Sequence, residues 1–317
     1  MAKRNSLRPP KLLALIVPFV ILPFFLGEYR LGSLITMLIY IVVAASFRLI
    51  STTGEMTFAH VVIMGIGGYT SSLLARYLGL AFWITCPLGG LAGAGFAALT
   101  AYPLFRMKGF YFFIGSMAIG EAVRLSWIRW KNPFGGEGGL WYIPPPTIGS
   151  FTFNTTFSYY WLTLGIVVAC MAIMYLIDRS RVGETLRAIR LQDYLAQSIG
   201  VNIVAYKTIA YVIASFFAAI AGTLLAHYLR SVSPTQFSMT IMIYVLIWAI
   251  VGGRATFWGP IVGVLALRSI EEQLRTTLQG WVPMVYGGIL IAILLAMPDG
   301  LESIPKKIRG WLGARRG

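Results

Sequence analysis

The chain has 317 residues, of which 57% are hydrophobic and only 12% charged. A soluble domain carries about 25% charged residues, so an ordinary globular protein is excluded. The formal net charge is +15. In a soluble protein that would point to nucleic acid, but here the basic residues gather between and beyond apolar runs. Membrane topology is the better reading, with no nucleic-acid partner.

Apolar runs near the 20 residues that cross a bilayer recur along the whole length. Lipid leaves no water for unpaired backbone groups, so such runs are helices. The alternating pattern of a membrane barrel is absent. The fold class is therefore all-α: a polytopic membrane protein with about ten transmembrane helices, some short or broken. The pattern predicts spans at about residues 12–27, 33–50, 55–75, 80–104, 109–127, 159–177, 205–228, 239–253, 257–270 and 281–297. Together they form one membrane domain over 1–317. Lys3, Arg4, Arg8 and Lys11 precede the first run, and no small-residue cleavage site follows, so it reads as a retained helix. Most Lys and Arg fall on the side of the two chain ends if all ten runs cross, which places both termini in the cytoplasm.

The third run contains Gly65, Gly67 and Gly68 before Tyr69. Glycines in a span permit close packing or a local break. The eighth and ninth runs flank Gly252, Gly253, Gly259 and Pro260, so 239–270 is either two crossings or one broken, re-entrant pair. A loop at 128–158 is rich in Gly, Pro and aromatic residues and lies outside. It is either an ordinary interfacial belt or a docking surface.

In mid-chain, Asp178 to Lys207 is the longest polar stretch with helical periodicity. Leu186, Ile189, Tyr194 (or Leu195) and Ile199 recur at three-to-four-residue steps, with Arg187, Arg190 and Asp193 between. Gly200 is the expected helix stop. This is an amphipathic helix or helix pair outside the bilayer, resting on lipid headgroups or touching a partner. It falls in the cytoplasm by the charge count.

Catalytic and energy-coupling patterns are missing. There is no G-x-x-x-x-G-K-[ST] loop, no H-E-x-x-H or C-x-x-C, and no G-x-S-x-G. Cys86 and Cys170 are far apart inside apolar runs and indicate neither disulfide nor metal. Neither metal nor cofactor is expected, and no catalytic residue. Glu121 and Arg124 lie three apart on one helical face and pair, either as a structural ion pair or on a substrate pathway. Glu55 sits at a span edge. Arg268, Glu271, Glu272 and Arg275 read as a solvated helix end or a docking patch. His60 is either a packing residue or, with the glycines after it, part of a site at a helix break near the midplane.

Four stretches resemble the inner-membrane permease subunits of bacterial branched-chain amino acid ABC importers, the LivM type. Gly54 to Tyr69 is similar to G-x-x-S-x-G-x-A-x-x-x-G-x-G-A-Y, with Thr57, Phe58 and Gly68 departing from it. Lys108–Phe112, Glu121-x-x-Arg124, Gly135–Leu140 and Ile143-Pro144 resemble R-G-x-Y-F, E-x-x-R, T-x-G-x-x-G-L and I-P. Gly183 to Lys207 resembles the loop that in this family fits a cleft of the ATPase. Gly252 to Gly263 is close to G-G-x-G-T-x-x-G-P-x-x-G, with Ala255 for Gly.

The resemblance implies a non-enzymatic transport subunit of the bacterial inner membrane. Its partners would be a second related permease, two ATPase subunits, an extracytoplasmic solute-binding protein and the lipid bilayer. It implies an ATPase-coupling loop (178–204) with Gly183, Glu184, Arg187, Ala188, Arg190, Asp193, Ala196 and Gly200. A substrate pathway would draw on His60, Gly65, Gly67, Gly68, Tyr69, Gly252, Gly253, Thr256, Gly259 and Pro260. The solute would be a branched-chain amino acid, or else urea, a short amide or an aromatic acid. The rival reading is a stand-alone secondary transporter or channel.

Overall fold

The computed structural model describes residues 18–292, apart from 108, 199, 254–255, 278–280, 282–283, 286 and 289–290. Residues 12–17 of the first expected span and most of 281–297 lie outside the described residues, as do Lys108, Ala255 and the side chain of Arg275; residues 18–24 are helical.

The described residues are helical nearly throughout. The helices are α1 (Glu28–Ser51), α2 (His60–Leu78), α3 (Phe82–Phe105), α4 (Phe110–Arg129), α5 (Thr156–Arg179), α6 (Arg181–Leu191), α7 (Asp193–Ser198), α8 (Ile203–Leu229), α9 (Met239–Gly252) and α10 (Gly259–Thr277). Among the described residues six segments are long and apolar enough to cross a membrane: α1, α2, α3, α5, α8, and Pro234–Gly252, which contains α9. An all-α polytopic membrane protein is thus observed. α4 has the length of a span, but Glu121, Arg124 and its glycines keep it out of that set.

α8 lies at the centre, packed along α2 and α3, with α1 beside it and α5 behind α1. α1 is apolar all round and buried from Leu34 to Ser51, as a helix enclosed by others must be. Small residues let α2, α3 and α8 approach closely. A methyl group on Gly67 would land on the backbone of Ala219, and one on Gly222 on the carbonyl of Met64. Gly89 and Gly93 of α3 meet Thr223 and Ala219 in the same way. Without a hydrophobic drive inside lipid, such contacts are what hold spans together.

This corrects the expected break near the midplane. α2 runs unbroken through Gly65, Gly67 and Gly68. Its glycines open room for Trp127 and Phe237 at Gly65 and for the α8 backbone at Gly67 and Gly68, rather than exposing helix ends.

At 239–270 the chain does break. α9 ends at Gly252, Gly253 takes φ +106°, and α10 starts at Gly259. The two helices return against each other, with Gly252 facing the Gly259 carbonyl and Gly263 facing that of Trp248. α10 continues seven residues past the expected end at 270. That extension corrects the reading of Arg268 and Glu271 as a solvated helix end: Glu271 is buried and its carboxylate accepts from Arg268 at 2.9 Å.

Candidate functional site

One end of the bundle carries the polar mid-chain stretch as a helix pair. On α6, Gly183, Leu186 and Ile189 are buried and Glu184, Ala188 and Arg190 are exposed, the amphipathic pattern of a helix lying on the bundle. Gly183 is where α6 turns back under α5: a methyl there would collide with the Asp178 carbonyl. α7 follows after Gln192, with Ala196 buried; the side chain of Asp193 lies outside the described residues. Gly200 (φ +85°) stops it, donating to Gln197 O at 3.0 Å, while Val201 N donates to Ala196 O at 3.1 Å. That is a Schellman stop, which glycine permits at no steric cost. Asn202 then caps α8 by accepting from Ala205 N.

Two buried ion pairs tie the spans together at this end, and the half-exposed Arg187 joins α6 to one of them. Asp178, at the end of α5, accepts from Arg48 of α1 at 3.0 Å and from Arg187 of α6 at 3.4 Å. Arg187 also donates to the Asp178 carbonyl at 2.9 Å. Arg48 is only 3% exposed. Its guanidinium stands 5.9 Å from the Phe257 ring, in the turn between α9 and α10. Lys207 of α8 donates to Glu55 in the α1–α2 loop at 3.0 Å, both buried. Arg190 approaches Gly54 of that same loop. α1, the α1–α2 loop, α5, α6 and α8 are therefore cross-linked at one level.

Sequence reasoning missed these pairs, although signals existed. Arg48 is a lone cation at the end of an apolar run, and Asp178 and Lys207 bound the polar stretch. A charge that must be buried there needs a partner from another segment.

The residues expected along a substrate pathway divide into three places. His60 begins α2, fully buried, with Nε2 2.9 Å from Ser46 Oγ and its ring edge-on to Phe47. Gly67 and Gly68 sit in the α2–α8 contact, while Gly65 and Tyr69 adjoin Trp127 and Phe237. Gly252, Gly253, Thr256, Gly259 and Pro260 form the α9–α10 turn near Arg48. Among the described residues these three sets stand apart in the fold.

Glu121 and Arg124 pair within α4. Arg124 Nε donates to Oε2 at 2.9 Å and Oε1 at 3.1 Å, and Nη2 to Oε1 at 2.5 Å. Glu121 is 39% and Arg124 19% exposed.

The other end is covered by residues 128–158. Leu140–Trp141 pairs antiparallel with Ser231–Val232, and Thr147–Ile148 with Phe151–Thr152. Arg76 donates to the Trp141 carbonyl and Trp83 to the Thr147 carbonyl, each at 2.9 Å. His227 Nδ1 is 2.9 Å from the Pro144 carbonyl, and its Nε2 is 2.9 Å from Ser71 Oγ. A carbonyl can only accept, so the proton is assigned to Nδ1; the Ser71 hydroxyl lies between Nε2 and Thr85 Oγ1, 2.9 Å from each.

A bundle of membrane-length helices, closed at one end by a folded loop and carrying one ordered polar helix pair at the other, defines a multi-pass membrane protein. Among the described residues no cluster of metal ligands occurs. The family described as branched-chain amino acid transport system / permease component matches residues 29–294. The high-affinity branched-chain amino acid transport system permease protein LivM of Salmonella typhimurium is 27% identical, covering 92% of this chain and 74% of that one. LivM of Escherichia coli is 26% identical over the same shares. The related permease protein LivH of Salmonella typhimurium is 27% identical over 53% of this chain and 54% of its own. No solved structure matches. The chain belongs to the branched-chain amino acid transport permease family, and is a permease subunit of an ABC importer.

Proposed function

We propose that this subunit imports a branched-chain amino acid by alternating access, with a second related permease completing the pore. Two ATPase subunits supply the energy and an extracytoplasmic binding protein delivers the solute. The α6–α7 pair faces the cytoplasm, both termini lie on that side, and the loop at 128–158 faces outward. Counting α4, α10 and the two end segments as crossings gives ten. No resident cofactor is needed on this chain, since ATP is bound by the partners.

The observation that carries the coupling is the double grip on Asp178. Nucleotide binding on a partner must favour one of two membrane arrangements through some contact. A push on α6 reaches Arg48 and α1 through one carboxylate, and α5 through the Gly183 contact. The exposed face of α6, with Glu184, Ala188 and Arg190, is left to meet the ATPase.

The test is reconstitution of the complete complex in vesicles. Uptake of leucine that requires ATP, and that vanishes when the ATPase subunits are omitted, supports the reading. Gradient-driven uptake by this chain alone overturns it in favour of a secondary transporter or channel.

A further inference from the structure

The mechanism above leaves the Glu121–Arg124 pair unused. α4 is 20 residues long, about 30 Å, the thickness of the hydrocarbon core. Glu121 and Arg124 stand 11 and 14 residues along it, roughly 17–21 Å in, well inside that core. A carboxylate that is 39% exposed at such depth must meet water, protein or a ligand, since lipid contact is costly. The pair satisfies itself incompletely. Arg124 spends Nε and one Nη2 hydrogen on Glu121. Among the described residues its Nη1 has no partner.

Glu121 lines a small cleft with Phe58 just before α2, Val61 and Val62 of α2, Met117 of α4, Ser238 before α9 and Met242 of α9; Arg124 stands one turn beyond this lining. Those walls are branched aliphatic, thioether and aromatic. At the N-terminus of α9 the Ile241 and Met242 N–H groups donate to the Ser238 carbonyl, which leaves the Met239 and Thr240 N–H groups of the first turn, a second feature suited to an anion. Two aromatic contacts bracket the cleft. Phe58 and Phe113 meet at 4.1 Å on the side of α6. On the other side Trp127 lies 4.5 Å from Tyr69 and 6.0 Å from Phe237. Phe113 and Trp127 are 14 residues apart on α4, about 21 Å, so the ion pair lies between two closures.

We propose that this cleft is the point where the permease recognises its solute, with Glu121 and Arg124 answering the two charges of the amino acid. The proposal rests on the importer reading above. The solute's ammonium group goes to Glu121, and its carboxylate to the α9 N-terminus and, once α4 has moved, to Arg124. Its side chain goes to Val61, Val62 and Met242. A urea or simple amide has no use for either charge, and an aromatic acid leaves Glu121 unanswered. The cleft measures about 30 Å³, room for one water. Binding therefore requires α4 to move off α2. Only Phe112, Ser116, Gly120 and Trp127 of α4 are fully buried, and the rest of its contact with the core is made by partly buried side chains such as Met117 and Val123. Opening at Phe58–Phe113 or at Trp127–Phe237, one at a time, gives access from one side or the other.

The test uses the complete reconstituted complex and L-leucine. The double variant Glu121→Arg with Arg124→Glu restores an ion pair on the same helix but inverts its polarity. Leucine uptake is expected to fall at least tenfold with the protein still in the membrane. Uptake at the wild-type rate overturns the proposal, because a merely structural pair survives inversion. A second measurement covers loss of the swapped protein. Met117→Cys, in a Cys86→Ala, Cys170→Ala background, is labelled with a small thiol reagent in the complex. Millimolar L-leucine is expected to slow labelling, and leucinamide or 4-methylpentanoate, each with one charge, much less. Equal labelling with and without leucine overturns the proposal. If the wild-type complex shows ATP-dependent uptake and these results go the wrong way, this site falls alone. If no ATP-dependent uptake occurs, the importer reading falls.

Discussion

Glu55 and Lys207, 152 residues apart, meet at 3.0 Å with both side chains buried. The pair ties the α1–α2 loop to the first turns of α8. Removing one partner of a buried pair leaves an uncompensated charge and costs about 3–5 kcal/mol, whereas removing both costs far less. Lys207→Met is therefore expected to lower the thermal stability of the detergent-solubilised protein markedly. Adding Glu55→Gln should recover most of the loss. Equal stability of the single and double variants would show that the pair is not felt.

The same end of the molecule separates residues that the sequence places side by side. Ala188 is exposed on α6 and Ala196 is buried on α7. Ala188→Glu is expected to leave the protein folded and in the membrane while ATP hydrolysis and leucine uptake by the reconstituted complex lose their proportion. A charge at Ala196 acts differently: with no partner it unseats the helix and reduces the amount of protein recovered. The ratio of leucine transported to ATP hydrolysed, set against membrane abundance, distinguishes the two.

Gly183 belongs with Ala188 in effect but not in cause. Gly183→Ala drives a methyl group into the Asp178 carbonyl, so α6 must shift by about an ångström. The displaced helix pulls on the carboxylate that Arg48 and Arg187 share. Uptake per ATP is expected to drop, while the control Gly200→Asn, which keeps a residue tolerant of positive φ, stays near wild type. Equal coupling in both variants would remove Gly183 from the transmission path.

Much of this architecture was legible in the sequence, for identifiable reasons. Eight predicted spans coincide with observed helices to within a few residues or, for 33–50, 55–75 and 257–270, five to seven, because lipid forces every apolar run into helix. The stop at Gly200 was legible because a glycine after an amphipathic run has few other uses. The role of Gly65, Gly67 and Gly68 was not. A glycine cluster signals either a break or a close approach, and only the facing backbone of Ala219 and Gly222 decides between them. Likewise Arg48, Glu55, Asp178 and Lys207 each looked like an edge charge, since pairing across more than a hundred residues leaves no local spacing to read. The Glu121–Arg124 pair was visible from its i, i+3 spacing, but not the aromatic closures on either side of it.

The glycine contacts between α2 and α8 carry their own expectation. A methyl at Gly67 meets the Ala219 carbonyl and one at Gly222 the Met64 carbonyl, both backbone atoms that cannot turn aside. Overpacking of this kind costs about 1–3 kcal/mol. Gly95 lies on the neighbouring α3 with nothing within 4 Å of an added Cβ, so Gly95→Ala controls for helix propensity alone. Gly67→Ala and Gly222→Ala are expected to lower resistance to unfolding in mixed micelles, and Gly95→Ala to hold or raise it. Similar behaviour of all three would mean that the α2–α8 contact is not tight.

His227 is the hinge pin of the cover formed by residues 128–158. It is the buried group that joins Ser71 on α2 to the Pro144 carbonyl in the loop, with the Phe82 ring 5.0 Å away. His227→Phe keeps an aromatic body but loses both hydrogen bonds. The buried Ser71 hydroxyl retains Thr85 as a neighbour at 2.9 Å, so the loss falls mainly on the carbonyl of the exposed Pro144, at about 0.5–1.5 kcal/mol for one net hydrogen bond. The strand pair Leu140–Trp141 with Ser231–Val232 is too short to hold the segment unaided. Limited proteolysis of sealed vesicles oriented with this face outward is therefore expected to cut between residues 142 and 155 several times faster in His227→Phe than in wild type. His227→Gln, which can still donate to Pro144, should fall between the two. Unchanged cleavage in both would assign the cover's stability to the Arg76 and Trp83 bonds instead.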